Sequence, residues 1–172
     1  MHAIGATGGR GKTGRGVCPV ASHARVRRVL AGVRVARAPA ITLSKRAMRL
    51  LCADDEPDIR AILRLALSLD PDMEVEIVDS GHEAIARAAG GAFDAILLDG
   101  MMPGLDGYET CRILKADPAT SHVPVLFLTA KTQRDEARRA LSVGAVACLT
   151  KPFDPMTIGQ ELRAALLAAR PG

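Results

Sequence analysis

A short apolar run that ends in a carboxylate constrains the fold of this chain more than any other stretch. The run Ala95–Leu98 is entirely apolar and is bounded by Asp94 and Asp99. A run of this length without polar alternation is typical of a strand that is buried on both faces of a parallel sheet. Gly and Pro follow Asp99 at turn spacing, so the chain leaves the strand there. Because open α/β sheets bind ligands at the carboxyl ends of their strands, Asp99 is a candidate site residue, although an aspartate in this position can simply cap a turn.

The rest of the chain from residue 48 alternates between strand-length apolar runs and amphipathic helical patterns. Besides the central run, strands are predicted over Arg49–Ala53, Glu74–Val78, Val123–Leu128 and Val146–Leu149. Helices are predicted over about 57–69, 81–89, 107–116, 134–142 and 154–169, with Ser80 and Asp106 as N-caps. Five strands that alternate with five helices predict an α/β fold, a doubly wound parallel sheet with right-handed crossovers and helices on both faces.

The charge is distributed unevenly along the chain. The net charge is +4 at pH 7, yet residues 1–49 contain eleven Lys and Arg and no Asp or Glu. Residues 50–172 contain twelve basic and nineteen acidic residues and therefore carry a net charge of −7. We therefore divide the chain into a basic, Gly- and Arg-rich extension, 1–47, and a globular domain, 48–172.

Three interpretations of the extension stay open. It can be a disordered basic tail that touches nucleic acid or anionic lipid, a transit-like peptide, or a segment that is not translated because synthesis starts at Met48. We favour the last, since Met48 stands one residue before the first strand, where the composition changes abruptly. Gly11–Thr13 resembles the end of a phosphate-binding P-loop, but Ala6 occupies a position that the motif reserves for Gly, and no strand precedes it.

Composition excludes several classes of function. No apolar run approaches the length of a membrane span, and we expect a cytoplasmic protein. Aromatic residues make up 2% of the chain, which leaves no stacking platform for single-stranded nucleic acid, so nucleic acid is not an expected partner. The histidines are scattered and the cysteines lack CxxC spacing, which favours buried thiols in a reducing compartment over a zinc site. The cysteines are Cys18, Cys52, Cys111 and Cys148.

Polar residues of complementary chemistry follow four of the predicted strands. Asp54 and Asp55 follow the first strand, Asp99 the third, Thr129 the fourth and Lys151 the fifth. Each one alone can be a helix cap or a solvated turn residue. Their common position is harder to explain in that way, because the carboxyl ends of these strands face one crevice. Three carboxylates, one hydroxyl and one ammonium are therefore expected to meet.

The chemistry of this group indicates a phosphoryl-acceptor site. Neighbouring carboxylates raise one another's pKa unless a cation lies between them, and Mg²⁺ accepts both carboxylate and phosphate oxygens. Lys151 supplies a compact positive charge for a phosphoryl group, and Thr129 supplies a hydroxyl donor. A carboxylate can act as a nucleophile and form an aspartyl phosphate. The residues therefore favour Asp99 as the acceptor.

The motifs at these strand ends resemble the receiver domain of two-component response regulators. The resemblance covers about 48–172 and is carried by Asp54–Pro57, Leu98–Gly107, Leu128–Ala130 and Lys151–Phe153. It implies a five-stranded, flavodoxin-like (βα)5 fold with strand order 2-1-3-4-5. It also implies a cis bond between Lys151 and Pro152.

The resemblance also implies roles for the site residues. Asp99 would accept a phosphoryl group from the phosphohistidine of a sensor histidine kinase or of a histidine phosphotransfer protein. Thr129 and Lys151 would contact the phosphoryl group, and Thr129 would move on activation. The implied Mg²⁺ ligands are the carboxylates of Asp54, Asp55 and Asp99 and the backbone carbonyl of Met101.

The sequence departs from the family pattern at three places. Cys148 stands where the family usually has an aromatic residue that swings inward together with Thr129. The segment 145–148 lacks the acid that many DNA-binding relatives use for dimerisation, so we do not expect that dimer. Gly100 stands where a β-branched residue is common. We expect a stand-alone receiver that is not an enzyme beyond its own phosphotransfer and dephosphorylation. It would signal to a protein partner through the face of helix 4, strand 5 and helix 5, or pass the phosphoryl group on in a phosphorelay.

Three alternative functions are weighed against this one. A hydrolase of the haloacid-dehalogenase type also forms an aspartyl phosphate, but it carries an Asp two residues after the nucleophile, where this chain has Met101. A flavodoxin-type flavin site conflicts with the acidic crevice. A regulator that is tethered to nucleic acid through residues 1–47 would show salt-dependent DNA binding that disappears on deletion of the extension.

Overall fold

Strands and helices alternate strictly along the part of the chain that the computed structural model describes, residues 47–130 and 134–169. The strands are β1 (Met48–Ala53), β2 (Met73–Val78), β3 (Ala95–Asp99), β4 (Val125–Ala130) and β5 (Ala147–Lys151). The helices are α1 (Pro57–Ser68), α2 (Gly81–Gly90), α3 (Gly107–Ala116), α4 (Arg134–Ser142) and α5 (Ile158–Ala168). Within these two ranges no helix combines the length and hydrophobicity that a bilayer crossing requires.

The five strands form one parallel sheet in the order β2-β1-β3-β4-β5. This confirms both the predicted α/β class and the strand order that the family resemblance implies. β3 lies at the centre, and all five of its residues are buried. From the neighbouring strands β1 and β3 the chain continues in opposite directions across the sheet, to β2 on one side and to β4 and β5 on the other. The carboxyl ends of β1 and β3 therefore border the crevice in which folds of this type bind ligands.

Two hydrophobic clusters cover the two faces of the sheet. Alternate residues of β3 point to opposite faces, so that Ile96 and Leu98 join one cluster while Ala95 and Leu97 join the other. The first cluster contains the buried hydrophobic side chains of α2 and α3, and the second contains those of α1 and α5. Burial on both faces explains why the central strands lack polar alternation. Truncation of one of these buried leucines to alanine typically costs about 2–5 kcal/mol.

Two predicted helix starts are confirmed by their hydrogen bonds. The Ser80 hydroxyl accepts from the Glu83 amide at 3.4 Å, and Asp106 Oδ1 accepts from the Glu109 amide at 2.7 Å. Pro57 is the first residue of α1, where its missing amide proton leaves no donor unsatisfied. The predicted bounds of α4 agree with the structure.

Several predicted boundaries were wrong. β4 begins at Val125 rather than at residue 123, and β4 and β5 both continue past residues 128 and 149, because Thr129 pairs with Thr150 and Ala130 pairs with Lys151. β3 includes Asp99, which pairs with Leu128. β1 and β2 each begin one residue earlier than predicted, and α1 ends one residue earlier.

The last helix begins at Ile158 rather than at residue 154. The Asp154 carbonyl accepts hydrogen bonds from the amides of Thr157, at 3.0 Å, and Ile158, at 2.9 Å. The Asp154 side chain also accepts from the Met156 amide at 2.9 Å. These bonds close a turn that precedes α5.

The extension lies outside the described residues apart from Ala47. The interpretations of residues 1–47 therefore stay predictions, as does the division of the chain at residue 48. Cys52, Cys111 and Cys148 are buried, as predicted, and none of the three forms a disulfide with another described residue; Cys18 falls in the undescribed part. Burial raises the pKa of the Cys111 thiol to about 11, which keeps that thiol protonated at neutral pH.

Candidate functional site

Three aspartates converge at the carboxyl ends of β1 and β3. The two strands pair in parallel with Ala53 opposite Leu98, so the residues that follow, Asp54 and Asp99, lie at the same level. Carboxylate oxygens of Asp54, Asp55 and Asp99 all lie within 4.8 Å of one another. Asp54 is 1% exposed and Asp99 is 7% exposed, so two of the three charges are almost entirely shielded from bulk water. The structure thus brings together the three acids that the sequence placed in one crevice.

The ammonium of Lys151 lies beside this cluster of aspartates. Its Nζ is 2.8 Å from Asp54 Oδ2, 3.1 Å from Asp99 Oδ2 and 3.3 Å from Glu56 Oε1. Lys151 is the last residue of β5, and its side chain is 17% exposed. The bond that joins it to Pro152 is cis, in agreement with the family resemblance. The position of Lys151 at a strand end therefore delivers the expected positive charge to the acidic crevice.

Burial and neighbouring charges act in opposite directions on the pKa values of Asp99 and Lys151. Burial raises the pKa of Asp99, and the nearby Asp54 charge adds to that increase, while the hydrogen bond and charge of Lys151 lower it, so the net direction is upward. Burial alone would lower the pKa of Lys151, but the close contacts of its ammonium with Asp54 and Asp99 and the charges of both carboxylates raise that pKa overall. Lys151 therefore stays positively charged at neutral pH.

The loop between β1 and α1 is fixed by hydrogen bonds to its own backbone. The Glu56 amide donates to Asp54 Oδ1 at 2.9 Å. Arg60 Nη1 donates to the carbonyls of Asp54, at 2.9 Å, and Asp55, at 2.6 Å. The sequence prediction assigned no role in the site to Glu56, which it placed in a motif, or to Arg60. The available signals were the third acid of the Asp-Asp-Glu run and an arginine one helical turn beyond it.

The loop after β3 orients the second buried aspartate. The Met101 amide donates to Asp99 Oδ1 at 3.3 Å, and the Gly107 amide donates to the Gly100 carbonyl at 3.3 Å. A Cβ on Gly107 would lie 1.9 Å from the Asp99 carbonyl oxygen, so only glycine fits at the start of α3. The Met101 carbonyl, the fourth ligand that the resemblance implies, belongs to this same loop.

The remaining predicted site residues occupy β4 and β5. Thr129 is buried near the end of β4, beside Thr150 of β5. Cys148 is buried in the hydrophobic cluster that also contains Tyr108, Phe127 and Ala140.

On this side of the sheet α3 and β4 contribute stacked aromatic rings, whereas β5 contributes Cys148. Tyr108 is 1% exposed and stacks on Phe127 with 4.8 Å between ring centroids and 23° between ring planes. A Cβ at position 100 would lie 3.2 Å from the Tyr108 hydroxyl oxygen. Gly100, the least expected residue of the motif, therefore leaves room for this tyrosine.

The acidic residues meet the chemical requirements of a Mg²⁺ site. All three side chains offer carboxylate oxygen, the ligand that Mg²⁺ prefers. Asp54 Oδ2 is buried, and no hydrogen bond of good geometry satisfies it within the described part of the chain, although the Lys151 ammonium lies 2.8 Å away. A buried carboxylate oxygen in that situation gains from a cation that can bind it directly.

Comparison with known proteins agrees with this geometry. Residues 50–163 match the family described as response regulator receiver domain. The chain is 41% identical over 116 residues to the response regulator PleD of Caulobacter vibrioides, an alignment that covers 67% of this chain and 25% of PleD. It is 35% identical over 136 residues to the signal transduction histidine-protein kinase BarA of Escherichia coli K12, covering 78% of this chain and 14% of BarA. The chain thus spans a minor part of these two curated relatives.

A solved structure leads to the same assignment. The chemotaxis response regulator CheY4 of Vibrio cholerae superimposes with a TM-score of 0.65 at 31% sequence identity, covering 69% of this chain and 98% of that chain. The sheet order, the strand-end carboxylates and the match over residues 50–163 all point to one family. The chain belongs to the response regulator receiver domains of two-component signalling systems.

Proposed function

We propose that Asp99 accepts a phosphoryl group and that this chain is a phosphorylation-controlled switch. The observation that carries the proposal is the position of Asp99, almost fully buried at the end of the central strand with its Oδ2 3.1 Å from the Lys151 ammonium. A buried carboxylate beside a fixed cation is arranged to receive an anionic group rather than to exchange with solvent.

The chemical step is an in-line phosphoryl transfer. A carboxylate oxygen of Asp99 forms a bond to phosphorus while the bond between phosphorus and the donor nitrogen of a phosphohistidine breaks, and the electron pair leaves with the imidazole. Lys151 places positive charge against the phosphoryl oxygens, and the Thr129 hydroxyl donates a hydrogen bond to one of them. Asp54, Asp55, Asp99 and the Met101 carbonyl would hold Mg²⁺, which when bound neutralises negative charge on the transferred group.

The proposed donor is a sensor histidine kinase or a histidine phosphotransfer protein. The alignment with part of BarA, a histidine-protein kinase by its name, supports this class of partner. A cytoplasmic location belongs to the same proposal and is supported by Cys52, Cys111 and Cys148, which are buried thiols rather than members of a disulfide.

The proposed output is a change of surface rather than a second chemical reaction. Phosphorylation would draw Thr129 inward and shift α4, which follows it, between two arrangements. The face formed by α4, β5 and α5 would then bind a downstream protein, or the phosphoryl group would pass onward in a phosphorelay. A stand-alone receiver is supported by the match to CheY4, which extends over 98% of that chain.

The function is tested by intact mass spectrometry after incubation with a small phosphodonor, such as phosphoramidate, and Mg²⁺. The wild type should gain one phosphoryl group, which EDTA prevents, and Asp99→Asn should gain none. Absence of an adduct on the wild type would contradict the proposal. Continuous turnover of a generic phosphomonoester, measured in parallel, would instead support a haloacid-dehalogenase type of hydrolase.

A further inference from the structure

The Lys151 ammonium contacts three carboxylates, and only two of them belong to the group that suits a metal ion. Its three N–H donors can each meet one acid, with contacts at 2.8 Å to Asp54, 3.1 Å to Asp99 and 3.3 Å to Glu56. The converging oxygens come from Asp54, Asp55 and Asp99. Glu56 lies outside that group and shares only the ammonium with it.

A divalent cation and the ammonium compete for the carboxylates of the same two residues, Asp54 and Asp99. In Asp54, Oδ1 accepts from the Glu56 amide and Oδ2 faces Lys151. In Asp99, Oδ1 accepts from the Met101 amide and Oδ2 again faces Lys151. One oxygen of each acid thus already accepts a backbone hydrogen bond and the other faces the ammonium, so a metal ion bound to these two acids competes with the ammonium for their negative charge. Because two cations repel each other at short range, a bound metal ion weakens the hold of both aspartates on Lys151.

Glu56 is placed to hold the ammonium when this happens. Its backbone is fixed by the bond from its amide to Asp54 and by its position directly before Pro57, the first residue of α1. Its side chain is 60% exposed, so its carboxylate remains hydrated while it contacts Lys151. The contact with Glu56 uses no oxygen that the metal ion would need.

We propose that Glu56 is a positioning residue that retains the Lys151 ammonium at the mouth of the site when Mg²⁺ takes the oxygens of Asp54 and Asp99. This inference rests on the proposed function to the extent that the function assigns Mg²⁺ to the three aspartates. It adds a role for Glu56 in phosphoryl transfer, because a retained ammonium stays within reach of the phosphoryl group instead of moving into solvent. It also predicts that Mg²⁺ binds more weakly when Glu56 cannot accept the ammonium.

The test is isothermal titration calorimetry of Mg²⁺ into the full, unphosphorylated chain. Glu56→Gln should weaken Mg²⁺ binding about two- to fivefold, the range expected for loss of one partly exposed ion pair. Glu74→Gln serves as the matched control, because Glu74 is an exposed acid, 68% accessible, that pairs with Arg49 near the amino end of β2. That control should bind Mg²⁺ with the affinity of the wild type.

A second pair of variants separates the ammonium from a simple effect of charge. In a Lys151→Met background, Glu56→Gln should leave Mg²⁺ affinity unchanged, because no ammonium remains to be held. Glu56→Asp keeps the charge but shortens the side chain by one methylene, and it should weaken binding in the presence of Lys151. An undiminished effect of Glu56→Gln without Lys151, or wild-type affinity in Glu56→Asp, would overturn the inference.

The two proposals fail in different ways. Wild-type affinity in Glu56→Gln would overturn the role of Glu56 while the wild type still binds Mg²⁺ and still gains its phosphoryl group. Failure of the wild type itself to bind Mg²⁺ and to accept a phosphoryl group would instead overturn the proposed function.

Discussion

The guanidinium carbon of Arg139 lies 3.8 Å from the centroid of the Tyr108 ring, within cation–π distance. The same guanidinium forms an ion pair with Asp106, with 3.3 Å between Nη2 and Oδ2. Asp106 is the N-cap of α3, and Tyr108 lies in the first turn of that helix. Through these two contacts Arg139 connects α4 to the start of α3. This contact joins the helix that follows Thr129 to the loop that follows Asp99.

Tyr108→Leu should lower the free energy of unfolding by about 2–3 kcal/mol, because it removes a fully buried ring that stacks on Phe127. Arg139→Gln should cost less, about 0.5–1 kcal/mol, since the arginine is half exposed. The two losses should not add, because Tyr108→Leu already removes the cation–π partner of Arg139. Urea unfolding of the single and double variants measures this coupling.

Arg87→Gln is the control for that cycle, since Arg87 is an exposed arginine of α2 that pairs with Glu76 and Glu83. Its cost should be the same in the presence and in the absence of the Tyr108 ring. Strict additivity of Tyr108→Leu and Arg139→Gln would show that the contact between them contributes nothing to stability.

Gly107→Ala should destabilise the domain by about 2–3 kcal/mol. The added Cβ would lie 1.9 Å from the Asp99 carbonyl oxygen, so the backbone at Asp99 or at position 107 must shift. The same shift should slow phosphorylation by a small phosphodonor, since it moves the end of β3. Gly90→Ala is the matched control: nothing lies within 4 Å of its added Cβ, and an alanine at this helical position should stabilise by up to about 1 kcal/mol. Thermal unfolding compares the two, and equal melting temperatures would contradict the close approach.

Mg²⁺ should raise the melting temperature of the wild type. At ten times its dissociation constant, a ligand that binds only the folded state adds about 1.4 kcal/mol of stability. Asp54→Asn should abolish this gain, because it removes a carboxylate of the converging group. Asp58→Asn, an exposed aspartate in the first turn of α1, should retain it. Retention of the gain in Asp54→Asn would place the metal ion elsewhere.

The Asp70–Arg163 ion pair should make stability depend on pH in the acidic range. The hydrogen bond from Arg163 Nε to Asp70 Oδ2, at 2.8 Å, lowers the pKa of Asp70. The folded-state pKa of Asp70 is below the unfolded value of about 3.9. The ion pair therefore contributes to the free energy of unfolding above pH 4, and this contribution is lost as the pH falls through the folded-state pKa. Asp70→Asn should therefore cost up to about 1 kcal/mol at pH 7, the usual limit for an exposed pair, and less towards pH 3.

Asn at position 70 retains an oxygen for the bond from the Asp72 amide, so this substitution mainly removes charge. Urea midpoints at pH 7, 5 and 3 measure the difference, and Arg163→Gln should follow the same pH profile. A penalty for Asp70→Asn that is equal at pH 7 and pH 3 would exclude the ion pair as its cause.

The alternation of β1 to β5 with five helices could be predicted because the strands are short apolar runs, or in β2 an alternating pattern, and each helix has its own periodicity. Parallel strands align their carboxyl ends, so the meeting of Asp54, Asp99 and Lys151 followed from chain order once the fold was identified. The ends of β4 and β5 were missed because they depend on pairing between Thr129 and Thr150, which belong to different strands.

The contacts that the sequence did not reveal are those between side chains of separate elements. Tyr108 fills space beside Gly100 and Phe127, and nothing in the local pattern of α3 indicates that its ring is buried there. Glu56 resembles an ordinary acid near a helix N-terminus until its 3.3 Å contact with Lys151, 95 positions away, is known. Such pairs are set by packing of the complete domain rather than by local propensity.

The most direct test of the central claim is to locate the phosphoryl group within the chain. After reaction with phosphoramidate and Mg²⁺, borohydride reduction converts an aspartyl phosphate to a stable alcohol, and peptide mass spectrometry identifies the residue. We expect conversion at position 99 alone, and no conversion in the presence of EDTA. Conversion at residue 54 or 55, or a phosphoryl group retained by Asp99→Asn, would contradict it.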